Sequence, residues 1–577
     1  MLCNKKDFST PLRFARNDKS KQIIKLKKIN KKMKKLSTLL IIAFALVLGL
    51  TQCKKKVDTI ATPSDLGKTV YITVNVGDGD RHIVYPGTGA VVYTDGDIIY
   101  VGDGSKYLGS LEYESGKFSG TINEPEAGAY LYFYFLGGLT PSATLVAGTT
   151  TNFTVSIANQ SSKLPVLSFG RSTSTYTTST ATYGCTLLNK CGLVKFVPAT
   201  ATSEPVRVHG MKTTATINFA NPGITPTNAT GTITLYPESE EAKWAILLPQ
   251  DEVSNTDGII GKYCCTISKV PEVTENMYSS IGVSMAVKPG MLSGLFTINP
   301  DGGKVHFSQG NLQYQATTNT WQFAEHQYDY VGDAAGNTAP SASQSGWIDL
   351  FGWGTSGISG YTPKATCYQP WSTSTNDILY NPYGSTSTNL YDGGDNAGKA
   401  DWGYNAISNG GNTQNFGWRT LTSAEWAWVL GPSSGADPGT NCRTSSTVNN
   451  IQNARFAKAT VNSKAGVIIF PDNYTHPSGV TQPTNINGYT SSYTGNSYDA
   501  TQWSSMESAG AVFLPAAGNR NGNSVGHVGS NGGYWSSTSH ESEADKAYRV
   551  RFSSDDLGPQ RYYRSCGYSV RLARVVE

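Results

Sequence analysis

The chain has 577 residues, of which 38% are hydrophobic and 15% charged, with 61 glycines and 32 tyrosines. That length exceeds one ordinary domain, and a glycine- and tyrosine-rich composition with few charges excludes a helical bundle and a disordered tail. The formal charge of +4 divides unevenly: 13 basic and 2 acidic residues precede Cys53, whereas 33 basic face 40 acidic from Cys53 onward, which excludes a nucleic-acid footprint on the folded part.

In chain order, Met33-Lys34-Lys35 forms a positive region and Leu39–Leu50 an uninterrupted apolar run of 12 residues. A bilayer span needs about 20, so the run has the length of a signal-peptide core. It ends in Leu50-Thr51-Gln52-Cys53, which resembles the lipobox of bacterial lipoproteins. The resemblance implies a diacylglycerol on the Cys53 thiol, cleavage just before it and acylation of the new amine, hence stable membrane anchoring. A short transmembrane anchor with an incidental cysteine is the alternative. Residues 1–32 are basic and polar and hold the apolar run far from the start, so translation is expected to begin at Met33. This gives a signal peptide over 33–52 and a polar tether over 53–66. Lys54-Lys55-Lys56 after the anchor is basic, whereas surface-export tags of such lipoproteins tend to be acidic.

From 67 to 289 the pattern is mainly β. Val70, Ile72, Val74 and Val76 alternate as on a half-buried strand. Gly-Asp and Asp-Gly turns punctuate the short apolar runs Ala90–Tyr93, Ile98–Val101, Tyr107–Tyr113 and Ala129–Leu136, and more strands follow at Cys185–Leu188, Leu193–Val197, Ala215–Phe219, Gly231–Tyr236 and Trp244–Leu248. Such spacing predicts a β-sandwich region. Ile281, Val283, Met285 and Val287 are expected on one strand face, and Pro289-Gly290 reads as a domain boundary. Beyond it, over 290–577, lie ten of the eleven tryptophans, the exception being Trp244. Gly294–Ile298 and Lys304–Phe307 read as strands, and Gln327–Gly411 as a long loop region. Ser423–Leu430 is the best helix, with Thr422 as N-cap and Glu425 completing a capping box.

Two family resemblances emerge. Val70–Val76, the turns at Gly96-Asp97 and Gly102-Asp103, Leu131–Leu136, Ser162-Lys163-Leu164-Pro165 and the run Leu187–Phe196 resemble fimbrillin-like pilin domains of Gram-negative surface lipoproteins. That implies stacked β-sandwiches and assembly with other pilin subunits. The segments Gly417–Trp426, Phe513–Arg520, Gly532–Thr538 and Gly567–Leu572 resemble the "major paralogous" (FISUMP) branch of the C-type lectin-like fold, an α+β domain. Related sequences carry Arg-Leu-Pro where Arg419-Thr420-Leu421 stands here. The same layout is similar to target proteins of diversity-generating retroelements. There, fixed flanks of the type Tyr534-Trp535-Ser536-Ser537 and Ser569-Val570-Arg571-Leu572 enclose a variable ligand face. The residues that this resemblance assigns to ligand binding are His540, Glu541, Asp545, Lys546, Arg549, Arg551, Asp555, Asp556, Gln560, Arg561, Tyr562, Tyr563, Arg564 and Tyr568. A plain charged sheet edge is the competing reading of that stretch.

Catalytic constellations are missing: the seven histidines are scattered and no HExxH, GxSxG or P-loop pattern occurs. The lectin-like fold also hosts formylglycine-generating enzymes, for which Cys367, Cys442 and Cys566 are candidates by count alone. Cys185 with Cys191, or either with Cys264 or Cys265, can pair if strands bring them together, and buried free thiols are the alternative. No cofactor is expected, although the acidic turn Asp392–Asp395 offers oxygens for a structural calcium ion. Trp347, Trp353, Trp371, Trp402, Trp418, Trp426, Trp428 and Trp535 are either a carbohydrate platform or core, with Trp418, Trp426 and Trp535 assigned to the core. The expected function is a non-enzymatic, pilus-associated adhesin, an outer-membrane lipoprotein of the cell surface that binds a protein or glycan ligand. A glycan-capturing lipoprotein is the alternative and a formylglycine-generating type of enzyme the third.

Overall fold

The first strand, Thr69–Val76, buries Ile72 and Val74 and exposes Tyr71 and Asn75, the alternation its sequence predicts. The computed structural model describes residues 68–77, 93–254, 256–359, 367–380, 382, 389–392, 397–411, 417–431 and 441–576. Met33, the apolar run, Cys53 and residues 90–92 of an expected strand lie outside them. Among the described residues no helix is long and apolar enough to cross a membrane. The architecture is mainly β with several sheets.

Thr69–Val76 pairs antiparallel with Lys117–Asn123 and parallel with Thr182–Cys185. From Lys117–Asn123 the order runs through Tyr107–Glu114 and Ile98–Gly102 to Tyr130–Phe135. Tyr130–Phe135 also pairs with Ser168–Thr175, which returns to Thr182–Cys185, so the hydrogen-bonded ring closes. Closure removes sheet edges and encloses a core that includes Ile99, Val101, Leu111, Phe118, Leu131 and Phe133. A second core lies under Gly192–Pro198, Val206–Lys212 and Lys243–Leu247. There the buried Gln160 accepts from Ile246 N at 2.8 Å and donates to Ile157 O and Ile246 O at 2.9 and 2.8 Å, so its burial leaves no orphaned amide.

One strand of 20 residues, Tyr278–Thr297, runs through the position expected to be a domain boundary. Its start pairs parallel with Gly192–Pro198, its middle antiparallel with Tyr263–Ile267 and its end antiparallel with Lys304–Ser308. The register shifts between the pairs Cys265↔Val287 and Tyr263↔Leu292. Pro289, which has no N–H to donate, and Gly290, with φ of 69°, sit inside that bulge and not in a linker. The strand also corrects one expectation. Val283 and Met285 are buried, but Ile281 is 82% and Val287 39% exposed. Between Val194↔Ser279 and Phe196↔Val283 the partner advances two residues while this strand advances four, and the extra length carries Ile281 outward.

Lys304–Ser308 continues the sheet to Leu572–Val575, which pairs in turn with Arg419–Thr420. Behind them, Phe456–Val461, Lys464–Ile469 and Val512–Pro515 form a second sheet. Helix Ser423–Leu430 has its expected capping box: the Glu425 N–H donates to Thr422 Oγ1 at 3.1 Å and the Thr422 N–H to Glu425 Oε2 at 2.8 Å. A second helix, Ala500–Ser508, has the same device in Asp499 and Gln502 and went unread in the sequence. Trp353, Trp402, Trp418, Trp426 and Trp535 are buried, which assigns them to the core and not to a surface platform.

The loop-rich part is ordered by buried polar groups. Arg520 donates to the carbonyls of Leu350, Ser372 and Gly522, Arg571 to those of Ser308, Gln327 and Phe513, and Arg443 to Val429 O, Phe470 O and Asp472. Asp349 accepts from Val331 N and Asn337 Nδ2, both at 2.7 Å. Asp401 accepts from Gly403 N at 2.8 Å and Thr420 N at 3.1 Å. Burial pushes both carboxyls up to about 6.

Candidate functional site

The stretch assigned to ligand binding is a three-stranded antiparallel meander of Gly532–Ser539, Lys546–Phe552 and Leu557–Tyr563. Its register pairs Lys546 with Tyr563, Tyr548 with Arg561 and Arg549 with Gln560. Side chains alternate between faces along a strand, so the assigned residues divide into two clusters. Val550, Phe552 and Leu557 fix the ribbon to a core that includes Trp426.

The first cluster surrounds Glu543, in the turn between the first two strands. Glu543 pairs with Lys546, with Arg561 Nε at 2.8 Å and with His540 Nδ1 at 3.5 Å. Lys546 lies 5.1 Å from the centre of the Tyr563 ring. Tyr548 donates to Glu541 at 3.2 Å. The Lys546 hydrogen bond holds the Glu543 carboxyl below its usual range and raises the Lys546 ammonium in turn. Sequence reasoning did not select Glu543 or Tyr548. Period-two counting from Lys546 places Tyr548 on its face, and Glu543 lies three residues before Lys546.

The second cluster centres on Arg549, which is 5% exposed. Its guanidinium lies 4.6 Å from the Tyr562 ring centre and 4.5 Å from that of Tyr568. Tyr568 packs edge-on against Trp535 at 5.1 Å. Arg551 pairs with Asp556 at 2.9 Å, and Gln560 donates to the same carboxylate. Burial lowers the Arg549 pKa.

The remaining assigned residues scatter. Arg564 is buried, donates from Nε to Lys546 O at 2.9 Å and stacks over Trp353 at 4.5 Å, with its pKa lowered to about 10 by burial. It supports the ribbon from within. Tyr568 is likewise buried. The backbone carbonyl of Asp545 accepts from Arg564 N at 2.9 Å, and Asp555 is exposed at the tip of the second turn. Glu541, Asp555, Arg561, Tyr562 and Tyr563 are the exposed members, and His540, Asp545, Lys546, Arg551, Asp556 and Gln560 are half-buried. The expected flanks Tyr534-Trp535-Ser536-Ser537 and Ser569-Val570-Arg571-Leu572 are buried throughout.

Elsewhere, a cleft of about 740 Å³ opens where Tyr263, Met285, Val287, Tyr328, Trp503 and Glu507 meet. Within it, Lys262 pairs with Glu507 at 3.2 Å, and Glu507 also accepts from Gln327 at 3.0 Å. Among the described residues every cysteine is free and buried, so none of the pairings considered from the sequence is present. Burial pushes the thiols of Cys185, Cys191, Cys264 and Cys265 up to about 12 and that of Cys566 to about 11. Such thiols are poor nucleophiles at neutral pH. Among the described residues no group of three His, Cys, Asp or Glu side chains is placed to hold a metal ion. Asp392 accepts from Asn389 N at 2.8 Å, as in an ordinary turn, and Asp395 lies outside the described residues.

No curated protein matches the chain. Residues 439–573 match a family described as a domain of unknown function, DUF8237. Among solved structures, a candidate cell adhesion protein from Bacteroides uniformis is 16% identical, covers 38% of this chain and 98% of its own, and superposes with a TM-score of 0.25. The fimbrial anchor protein Mfa2 from Porphyromonas gingivalis is 8% identical over 34% of this chain and 76% of its own, at a TM-score of 0.22. A fimbrial protein from Bacteroides ovatus is 11% identical over 88% of this chain and 99% of its own, at 0.21. Likenesses at these scores assign no function.

Proposed function

We propose that the chain is a lipid-anchored adhesin of the cell envelope. In this reading Cys53 carries the anchor, the upstream β-region joins a surface fibre, and a lectin-like C-terminal half binds a protein or glycan ligand reversibly, without turnover. The observation that carries it is the ribbon end, where Arg561 and Tyr563 on one face and Tyr562 on the other stand exposed, on a strand whose other end is sealed into the core. Tyrosine and arginine on a rigid support are the anchors of recognition surfaces. Strand addition is the physical route by which a β-base joins a fibre, and Gly223–Pro226 pairs on one side only among the described strands. In this reading a binding face on a fibre-joining base takes a terminal place in the fibre.

The test uses the mature chain from Cys53, because Tyr278–Thr297 belongs to both halves. Beads coated with it are scored on glycan and host-protein arrays beside Tyr563→Ala and Arg561→Ala. Loss of binding in folded variants supports the ribbon face, and unchanged binding removes it. Immunogold labelling along the length of purified fibres, or none on them, removes the terminal placement.

A further inference from the structure

Among the described residues the buried arginines are Arg443, Arg455, Arg520, Arg549, Arg564 and Arg571. All but one donate to protein oxygens: Arg455 Nε reaches Leu430 O at 3.1 Å, for example, and Arg564 Nε reaches Lys546 O at 2.9 Å. Arg549 is the exception. Its Nε is buried without an acceptor, and no hydrogen bond or ion pair reaches its guanidinium among the described residues. The nearby Asp556 carboxylate is already taken by Arg551 and Gln560.

Burying a guanidinium without an acceptor is costly. Cation–π contact with the Tyr562 and Tyr568 rings, at 4.6 and 4.5 Å, offsets part of that cost. Nη1 and Nη2 are not among the sealed, unpartnered atoms, so they keep a little solvent contact beside Tyr562, which is 37% exposed, although the residue as a whole is 5% exposed. A planar guanidinium held in the corner of two rings that meet edge to face at 5.8 Å, with its donors unspent, matches the planar bidentate acceptor of a carboxylate.

We propose that Arg549, framed by Tyr562 and Tyr568, anchors a carboxylate-binding subsite filled by an acidic side chain of a protein partner; this rests on reading the ribbon as the ligand face. A protein is favoured over a sugar. Tyr562 stands 37% exposed beside the guanidinium, so the subsite presents an aromatic ring to solvent. Exposed tyrosine beside arginine is typical of protein contacts.

The experiment titrates the mature chain with fluorescein-labelled tetraglutamate, and with tetraglutamine and tetraglucuronate for comparison. Tetraglutamate is expected to bind and tetraglutamine not. Arg549→Lys, which keeps the charge but loses the fork, is expected to weaken tetraglutamate by at least about tenfold. Arg549→Met is expected to abolish that binding while holding or raising the unfolding midpoint, since it removes an uncompensated buried charge. Equal binding of tetraglutamate by both folded variants overturns the subsite, as does equal binding of tetraglutamine. Tighter binding of tetraglucuronate overturns the assignment to a protein. Array binding by coated beads separates the two readings. If Tyr563→Ala loses it while both Arg549 variants keep it, the ribbon face stands and the subsite falls; if all three keep it, both fall.

Discussion

Arg520 donates twice to one acceptor, the carbonyl oxygen of Leu350, through Nε at 3.2 Å and Nη2 at 3.0 Å. Its Nη1 reaches Ser372 O at 3.1 Å and Gly522 O at 2.9 Å. One side chain thus satisfies carbonyls in three separate loop segments that carry little secondary structure of their own, which is how a glycine-, serine- and asparagine-rich stretch acquires a fixed conformation. Lysine has no planar fork and cannot span these acceptors. Arg520→Lys is therefore expected to lower unfolding free energy by about 2–4 kcal/mol, read as a fall in the urea midpoint. A change within about 0.5 kcal/mol would show that the loops do not depend on this residue.

Legibility in the sequence followed the range of the interaction. The helix Ser423–Leu430 was readable because its stop and start chemistry is local: Thr422 and Glu425 cap each other across three residues. Ala500–Ser508 carried the same signal in Asp499 and Gln502, but only Trp503 and Met506 on its inner face are large and apolar, so the pattern was faint. Thr69–Val76 was readable from alternation. Closure of the first sheet was not, because it depends on Tyr130–Phe135 meeting Ser168–Thr175, a pairing no short window contains. Pro289-Gly290 read as a boundary because local rules treat that dipeptide as a break; the register shift in the Tyr263–Ile267 pairing supplies the bulge that accommodates it. At the candidate site the ribbon's position was readable and the burial of Arg549, Arg564 and Tyr568 was not. Composition reads arginine as surface, and only tertiary neighbours such as Trp353 and Trp535 reverse that.

Asp401 gives a pH test. Its folded pKa is raised to about 6 from an ordinary 3.8, chiefly by burial. Between those values the folded chain holds a proton that the unfolded chain has lost. This group's contribution to stability is therefore present at low pH and is lost as pH rises through about 6. The half-buried His209, His306 and His476, whose pKa values are lowered, act in the opposite direction across the same range, so the raw pH profile mixes both. Comparison with Asp401→Asn cancels the histidines. Wild type minus variant is expected to be larger at pH 4.5 than at pH 7.5 by up to about 2 kcal/mol. A difference independent of pH would mean that Asp401 is already hydrated in the folded state.

The thiols give a second solution test. Cys185, Cys191, Cys264 and Cys265 are buried, with pKa values pushed up to about 12. Thiolate is then scarce at neutral pH and access is blocked. Iodoacetamide at pH 7.5 is expected to leave these four unmodified in the native chain and to label them in urea, as read by peptide mass spectrometry. Rapid native labelling of Cys264 would point instead to activation by His306, whose Nδ1 lies 3.5 Å from its sulfur.

Tyr563 and Arg564 are adjacent in sequence and have opposite roles in the fold. Tyr563 is 43% exposed, and its ring contacts among the described residues are the ribbon's own, Lys546 at 5.1 Å and the Tyr562 ring at 5.7 Å. Arg564 is 2% exposed, bonded to Lys546 O and stacked over Trp353. Removing Tyr563 exposes no core, so Tyr563→Ala is expected to shift unfolding free energy by no more than about 0.5 kcal/mol. Arg564→Ala removes both packing on a buried indole and a backbone acceptor's partner, with an expected loss of about 2–4 kcal/mol. Loss of array binding in Arg564→Ala thus reports a damaged ribbon, whereas the same loss in Tyr563→Ala reports a missing contact. Thermal melts run beside the arrays separate the two. If Arg564→Ala melts like wild type while Tyr563→Ala does not, the division of the ribbon into a supporting and a contacting face is wrong.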